Sequence, residues 1–89
     1  MKAVVTVIGR DTVGILAQVS SVCAEHNANI IDVSQSVMQE LFTMIMLIDI
    51  SDITSDFSAL QASFGELGER IGMKIHVMHE DIFKSMHHI

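Results

Sequence analysis

The chain alternates between two hydrophobic periodicities, and the order of these segments restricts its fold more than any other feature. Short apolar or alternating runs predict strands, whereas apolar residues at every third or fourth position predict helices. Strand-like runs occupy residues 2–8, 30–38, 41–50 and 73–79, and helical spacing covers residues 15–23 and 57–71. The predicted order is therefore strand, helix, strand, strand, helix, strand, followed by an amphipathic tail over residues 79–89.

This order implies an α+β sandwich of the ferredoxin-like type. Right-handed crossovers convert a βαββαβ order into an antiparallel four-stranded sheet with both helices on one face, plus here a short C-terminal helix. In that topology the first and third strands are central and the other two are edges. The segments agree, because 30–38 and 73–79 each have a polar face while 2–8 and 41–50 do not. Since 89 residues have room for one core, we expect a single domain over residues 1–89.

Apolar residues on both faces of the central strands predict self-association. The helices cover one face only, and the other face carries large aliphatic side chains at Val4, Ile8, Leu41, Ile45 and Leu47. Leaving such a side chain fully exposed costs about 1.5–3 kcal/mol, and monomers seldom leave so large an apolar patch open. We expect a second copy of the chain, the tail helix, or both to cover this face, and we predict a homodimer.

Polar residues and glycines mark the ends of the predicted elements. A side-chain oxygen at a helix N-cap accepts a hydrogen bond from a free N–H of the first turn, and Asn or Gly readily takes the left-handed backbone that ends a helix. These rules predict a turn over 9–14, N-caps at Thr12 and at Thr54 or Ser55, left-handed helix ends at Asn27 and Gly72, and a hairpin turn at Gln39–Glu40.

Charge and composition exclude several classes of function. The net charge is −6, from 11 acidic and 5 basic residues, which disfavours binding to nucleic acid or to an anionic membrane. The chain lacks Trp and Tyr for base stacking, and its one cysteine can form neither an internal disulfide nor a C-x-x-C metal loop. A single cysteine also predicts an intracellular, cytoplasmic protein. Because no set of nucleophile, base and orienting group is visible, we predict no enzyme activity and no cofactor.

The turn between the first strand and the first helix is the best candidate for a binding site. Free backbone N–H groups and the positive end of the helix dipole point out of such a turn and favour an anion or carboxylate. Gly14 lies in the first helical turn, where glycine costs about 0.5–1 kcal/mol relative to alanine. Close approach of a ligand or a neighbouring chain would account for that cost. A tight turn that only packs well is the alternative, and the pattern leaves both open.

The histidines give a weaker signal. His76 and His79 are three residues apart on a predicted strand and point to opposite faces, so they do not share one metal within a protomer. Zinc or nickel held across a dimer by His79 and Glu80 is the alternative to solvated surface histidines. Surface histidines are the preferred interpretation, and no metal site is predicted.

Residues 5–50 carry a resemblance to a known family. A glycine in the context Asp11-x-x-Gly14-Ile15-Leu16 and an asparagine opening the second strand, Asn29-Ile30, resemble the ACT domain. The resemblance covers the chain except its tail, and the first half is also similar to the regulatory protein of the glycine cleavage system and the N-terminal segment of formyltetrahydrofolate deformylase. It implies a free-standing βαββαβ module that binds an amino acid or another small metabolite and regulates enzymes.

The resemblance also implies a site. Ligand would lie at a dimer interface, contacted by Asp11 and Asn29, with the full set being Asp11, Thr12, Val13, Gly14, Ile15, Asn29 and Ile30. The family often has proline before the glycine, where this chain has Val13, and asparagine where it has Asp11. An aspartate attracts an ammonium group, so Asp11 would hold the amine of an amino acid while backbone N–H groups of 12–15 hold its carboxylate.

Two functions therefore remain open. The first is a homodimeric sensor that binds a small metabolite near Asp11 and Asn29 and modulates a partner enzyme or regulator. The second is a regulator without a small ligand, which acts through the sheet face, an edge strand or the tail. A ligand that binds only the folded state raises the melting temperature, so a thermal-shift screen separates the two.

Overall fold

The computed structural model describes residues 1–10 and 13–86. Its strands are β1 (Lys2–Arg10), β2 (Asn29–Met38), β3 (Leu41–Asp49) and β4 (Lys74–His79). Its helices are α1 (Ile15–Glu25), α2 (Phe57–Ile71) and α3 (Glu80–Met86). The predicted βαββαβ order with a C-terminal helix is confirmed within these residues.

The sheet has the strand order β2-β3-β1-β4, and every neighbouring pair is antiparallel. The central positions of β1 and β3 were predicted correctly. The predicted turn at Gly9 and Arg10 is wrong, because both residues continue β1 and pair with Phe42 and Leu41 of β3. Gly9 fits there because it has no Cβ, which would collide with the sulfur of Met73.

The core lies between the sheet and the two long helices. Alternate residues of β1 and β3 are almost fully buried, and they meet the apolar stripes of α1 and α2. The cluster includes Ala3, Val5, Val7, Phe42, Met44, Met46, Ile48, Ile15, Val19, Val22, Cys23, Leu60, Phe64 and Leu67. Phe57, Ile71 and Ile75 pack against it half-buried, as the helical and strand spacings predict.

The helix ends differ from the sequence expectations at both N-termini. The cap of α2 is Asp56 rather than Thr54 or Ser55, because its carboxylate accepts the Ala59 N–H at 2.8 Å. The N-cap of α1 is Gly14, which offers no side-chain hydrogen bond, instead of Thr12, which lies outside the described residues. The left-handed helix ends at Asn27 (φ 59°) and Gly72 (φ 71°) and the hairpin turn at Gln39–Glu40 agree with the predictions, and Gln39 in that turn also has a left-handed backbone (φ 57°).

The helix-free face of the sheet is only partly covered. Val4 of β1 is 4% exposed, and α3 contacts β1 and β4. Ile8, Leu41 and Ile45 on the same face remain 42%, 51% and 41% exposed. The tail thus accounts for part of the predicted cover, and the homodimer remains a prediction.

Candidate functional site

The described part of the turn before α1 is open. Val13 is 96% exposed, and a Cβ added at Gly14 would meet nothing within 4 Å. Gly14 is required by its backbone, because φ is +84°, where an L side chain is strained. Ile15 is buried and fixes the start of the helix in the core. Asp11 and Thr12 lie outside the described residues.

This turn presents unpaired donors. The first intrahelical bond of α1 runs from the Gln18 N–H to the Gly14 carbonyl at 3.0 Å. The N–H groups of residues 15–17 therefore have no acceptor within the helix. With the positive end of the helix dipole, they form a place for a carboxylate or another anion.

Asn29 and Ile30 begin β2, and both are exposed. Asn29 pairs with Asp49 of β3, which in turn pairs with Lys2 of β1. A register shift follows between Ile30 and Asp32, so Ile31 lies in a bulge on the free edge of the sheet. The predicted asparagine is thus accessible at the end of an edge strand.

The structure places the two halves of the predicted site far apart within one protomer. Arg10, which leads into the turn, pairs with Leu41, and Leu41 pairs with Met38 at the end of β2. Asn29 lies level with Lys2 at the other end of the sheet. The length of β1 separates the two ends, which is about 26 Å at about 3.3 Å per strand residue. A single protomer does not bring Gly14 and Asn29 together.

Asp49 adds a fixed negative charge beside Asn29. Its carboxylate accepts the Ser51 N–H at 2.9 Å. That bond, together with a bond from the Ser51 side chain and the charges of the N-terminus and Lys2, holds the pKa of Asp49 below its usual value. Sequence reasoning missed this residue, although it is the one acid in the third strand and lies at its end.

Three clefts on the described surface lie away from those predicted ligand residues that the structure describes. One of about 560 Å³ lies at the start of β1 and α3, one of about 360 Å³ runs along β4, and one of about 210 Å³ separates α1 from α2. Val13, Gly14, Asn29 and Ile30 border none of these three. Val13, Asn29 and Ile30 of the predicted site are exposed on the surface of the protomer, outside these three clefts.

His79 and Glu80 have partners other than a metal. The His79 ring stacks on Phe57 with centroids 4.2 Å apart and an angle of 21° between the planes. Glu80 forms an ion pair with Lys84 at 3.7 Å on α3. Among residues 1–10 and 13–86, no group of three His, Cys, Asp or Glu side chains could hold a metal ion.

His26, at the C-terminal end of α1, forms a polar contact that sequence reasoning also missed. Its Nδ1 lies 2.6 Å from Ser55 Oγ, and its Nε2 lies 2.8 Å from Ser63 Oγ. The three half-buried side chains, here called the His26 bridge, join α1 to the loop before α2 and to α2 itself. Spacing alone gave no signal, because the two serines are 29 and 37 residues away.

The antiparallel sheet with two helices on one face defines a small ferredoxin-like α+β domain. The family model of the ACT domain matches residues 2–78. This chain belongs to the ACT-domain family. Domains of this family are in general regulatory and sense small molecules.

Relatives of the same length support the assignment. A UPF0237 protein of Methanococcus maripaludis is 56% identical over 86 residues, which cover 97% of this chain and 96% of the relative. The solved structure of an ACT domain protein from Streptococcus pneumoniae is 42% identical and has a TM-score of 0.81. The match covers 94% of this chain and 94% of that chain. The chain is thus similar to small proteins that span little more than one such domain.

The two predicted resemblances to larger proteins are confirmed. A formyltetrahydrofolate deformylase from Pseudomonas syringae is 25% identical, with a TM-score of 0.78, over 88% of this chain and 27% of that one. A putative glycine cleavage system transcriptional repressor is 24% identical, with a TM-score of 0.72, over 86% of this chain and 44% of that one, a likeness that concerns the fold alone. None of the helices in the described residues is long and apolar enough to cross a membrane.

Proposed function

We propose that this protein is a metabolite sensor that binds an amino acid or a related small molecule between two copies of the chain and modulates a partner enzyme or regulator. The observation that carries the proposal is the separation of Gly14 and Asn29 to opposite ends of one sheet. Only a second copy whose strands run in the opposite direction returns an Asn29 to the end that bears Gly14.

The free edge of β2 favours that arrangement. Within residues 1–10 and 13–86, β2 pairs with β3 alone, and nearly all of its residues are exposed. Large apolar side chains on this strand remain accessible to solvent, namely Ile30, Ile31, Val37 and Met38. A long exposed edge is a template for another strand. Antiparallel pairing of two β2 strands would form one eight-stranded sheet with Asn29 of each copy near the turn of the other.

Gly14 of one copy and Asn29 of the other would form a shared site, here called the composite site. The charges around it suit a zwitterion. The free N–H groups at the start of α1 would hold a carboxylate. Asp11 on the same turn, and Asp49 beside the Asn29 of the second copy, would attract an ammonium group. A molecule that carries one carboxylate and one amine fits both ends, whereas a simple dicarboxylate would meet the repulsion of both aspartates.

A thermal-shift screen of the twenty protein amino acids tests this proposal. We expect at least one of them to raise the melting temperature of the wild type, because it binds only the folded dimer. Asp11→Ala should lose most of that rise, while the matched variant Glu69→Ala, which removes an exposed carboxylate from α2, should keep it. Unchanged melting temperatures with all twenty compounds would refute binding of a protein amino acid.

A regulator without a small ligand is the second candidate. It is favoured by the exposed apolar side chains of Ile8, Leu41 and Ile45 on the helix-free face, since such patches mark interaction sites. A partner protein that binds the wild type but not Ile45→Lys, in the absence of any thermal shift with amino acids, would support this function over the first.

A further inference from the structure

We propose that His26 is a positioning residue, which through the His26 bridge fixes the segment leading into β2 and thereby sets the place of Asn29. The importance of Asn29 for a ligand rests on the proposed function. The position of the segment itself is a property of the single protomer and can be measured without any ligand.

Both nitrogens of the His26 ring are used. Each ring nitrogen has one serine hydroxyl as its hydrogen-bond partner, and a hydroxyl can act as donor or acceptor, so either tautomer of the ring is accommodated. With Nδ1–Ser55 at 2.6 Å and Nε2–Ser63 at 2.8 Å, the ring cannot rotate without losing both bonds. Because all three side chains are half-buried, water would replace the lost bonds incompletely.

Backbone and side-chain bonds extend the same attachment toward β2. The Thr54 N–H donates to the His26 carbonyl at 3.0 Å, and the Asn27 side-chain amide donates to the Asp52 carbonyl at 3.0 Å. The Ala28 N–H donates to the Cys23 carbonyl at 2.8 Å. The chain from His26 to Ala28 is therefore tied on both sides immediately before Asn29.

Asn27 turns the chain from α1 toward β2. Its backbone is left-handed (φ 59°), a conformation that asparagine adopts at modest cost as a single residue at a helix end. Asn29 follows two residues later and must pair with Asp49 at the start of β2. Loss of a hydrogen bond to His26 should therefore displace Asn29, on the edge strand, and not the buried centre of the sheet.

Hydrogen exchange of backbone amides tests the inference on the full chain. Ser55→Ala and Ser63→Ala each remove one bond of the His26 bridge, whereas Ser21→Ala removes a surface hydroxyl that bonds only the Ala17 carbonyl of its own helix. We expect each of the first two variants to raise the exchange rate of residues 27–31 about fivefold, the factor for loss of one ordinary hydrogen bond. Ser21→Ala should leave that segment unchanged, and Ser63→Thr, which restores a hydroxyl, should restore the wild-type rate.

A binding measurement separates positioning from general destabilisation. If an amino acid from the twenty-compound screen binds the wild type, its dissociation constant should rise about fivefold in Ser55→Ala and Ser63→Ala, again the factor for one hydrogen bond, with little change in Ser21→Ala. Asn29→Ala should lose binding and leave the exchange of residues 26–28 as it is in the wild type.

The outcomes decide the two proposals separately. Exchange that rises across the whole sheet, or does not rise at residues 27–31, overturns the role of His26. An unchanged dissociation constant in both serine variants, with binding lost in Asn29→Ala, also overturns it. If no amino acid binds the wild type, binding of a protein amino acid is refuted, and a local rise in exchange still supports the role of His26 in placing Asn29.

Discussion

At the scale of single residues, the chemistry of each side chain follows from what surrounds it. Cys23 is 1% exposed in the core, and burial raises the pKa of its thiol from the usual 9.0 to about 11, although a backbone hydrogen bond opposes the shift slightly. A thiol that stays protonated is a poor nucleophile. The interpretation of Cys23 as a small core residue fits this environment, whereas Asp49, held ionised by Ser51, keeps its charge at the edge of the candidate site.

The raised pKa of Cys23 predicts how stability depends on alkaline pH. Below pH 9 the thiol is protonated in both states, so it adds no pH dependence. Between pH 9 and about 11 the unfolded state loses the proton first, and the free energy of unfolding falls as pH rises. Urea unfolding of wild type and Cys23→Val across this range should show a steeper decline for the wild type. Equal slopes would mean that the thiol is not shielded as described.

At the scale of elements, Gly68 marks a close approach of α2 to the start of β4. A Cβ at Gly68 would lie 2.7 Å from the carbonyl oxygen of Met73, which directly precedes β4, and 3.4 Å from Cγ1 of Ile75 in the strand. A Cβ at Gly65, three residues earlier in the same helix, would meet nothing within 4 Å. Of these two glycines in α2, packing requires Gly68 and does not require Gly65.

The two glycines form a matched pair for a stability measurement. Gly65→Ala should stabilise the protein by about 0.5–1 kcal/mol, because alanine loses less entropy in a helix. Gly68→Ala should destabilise it by about 1–3 kcal/mol, the usual range for overpacking, because backbone must shift to admit the methyl group. Chemical denaturation of both variants measures the difference. Similar changes in the two would show that α2 does not approach β4 as closely as described.

The order of elements was predictable from sequence, but their ends were not. Periodicity reports which face of a segment is buried, and this signal is strong over Phe57–Ile71, whereas Leu41–Asp49 is recognised as a strand by its short apolar run. The cap of α2 was missed because Thr54, Ser55 and Asp56 are all good N-cap residues, and the choice depends on the path of the preceding loop. Gly9 suggested a turn because the sequence does not reveal its contact with the Met73 side chain. That contact is possible only because glycine has no Cβ.

At the scale of the whole molecule, residues of the candidate site could be predicted from the sequence, but their arrangement in space could not. The resemblance identified Gly14 and Asn29, yet strand register alone shows that they lie at opposite ends of the sheet. Register arises from pairing between distant segments, and a contact between two chains leaves no mark in the periodicity of one. The His26 bridge was out of reach for the same reason, since it joins three separate elements.

The choice between two modes of self-association gives the last prediction. Val37 on the free edge of β2 is 54% exposed, and Ile45 on the helix-free face is 41% exposed, so a lysine at either place leaves the protomer folded. If β2 edges pair, Val37→Lys should give monomers, because in each copy it replaces an apolar side chain of the seam by a charge that would have to leave water, while Ile45→Lys stays dimeric. Analytical ultracentrifugation at micromolar concentration measures the oligomeric state of each variant directly. The reverse result would place the second copy on the helix-free face, and a monomeric wild type would remove the composite site, because each protomer alone keeps Gly14 and Asn29 apart.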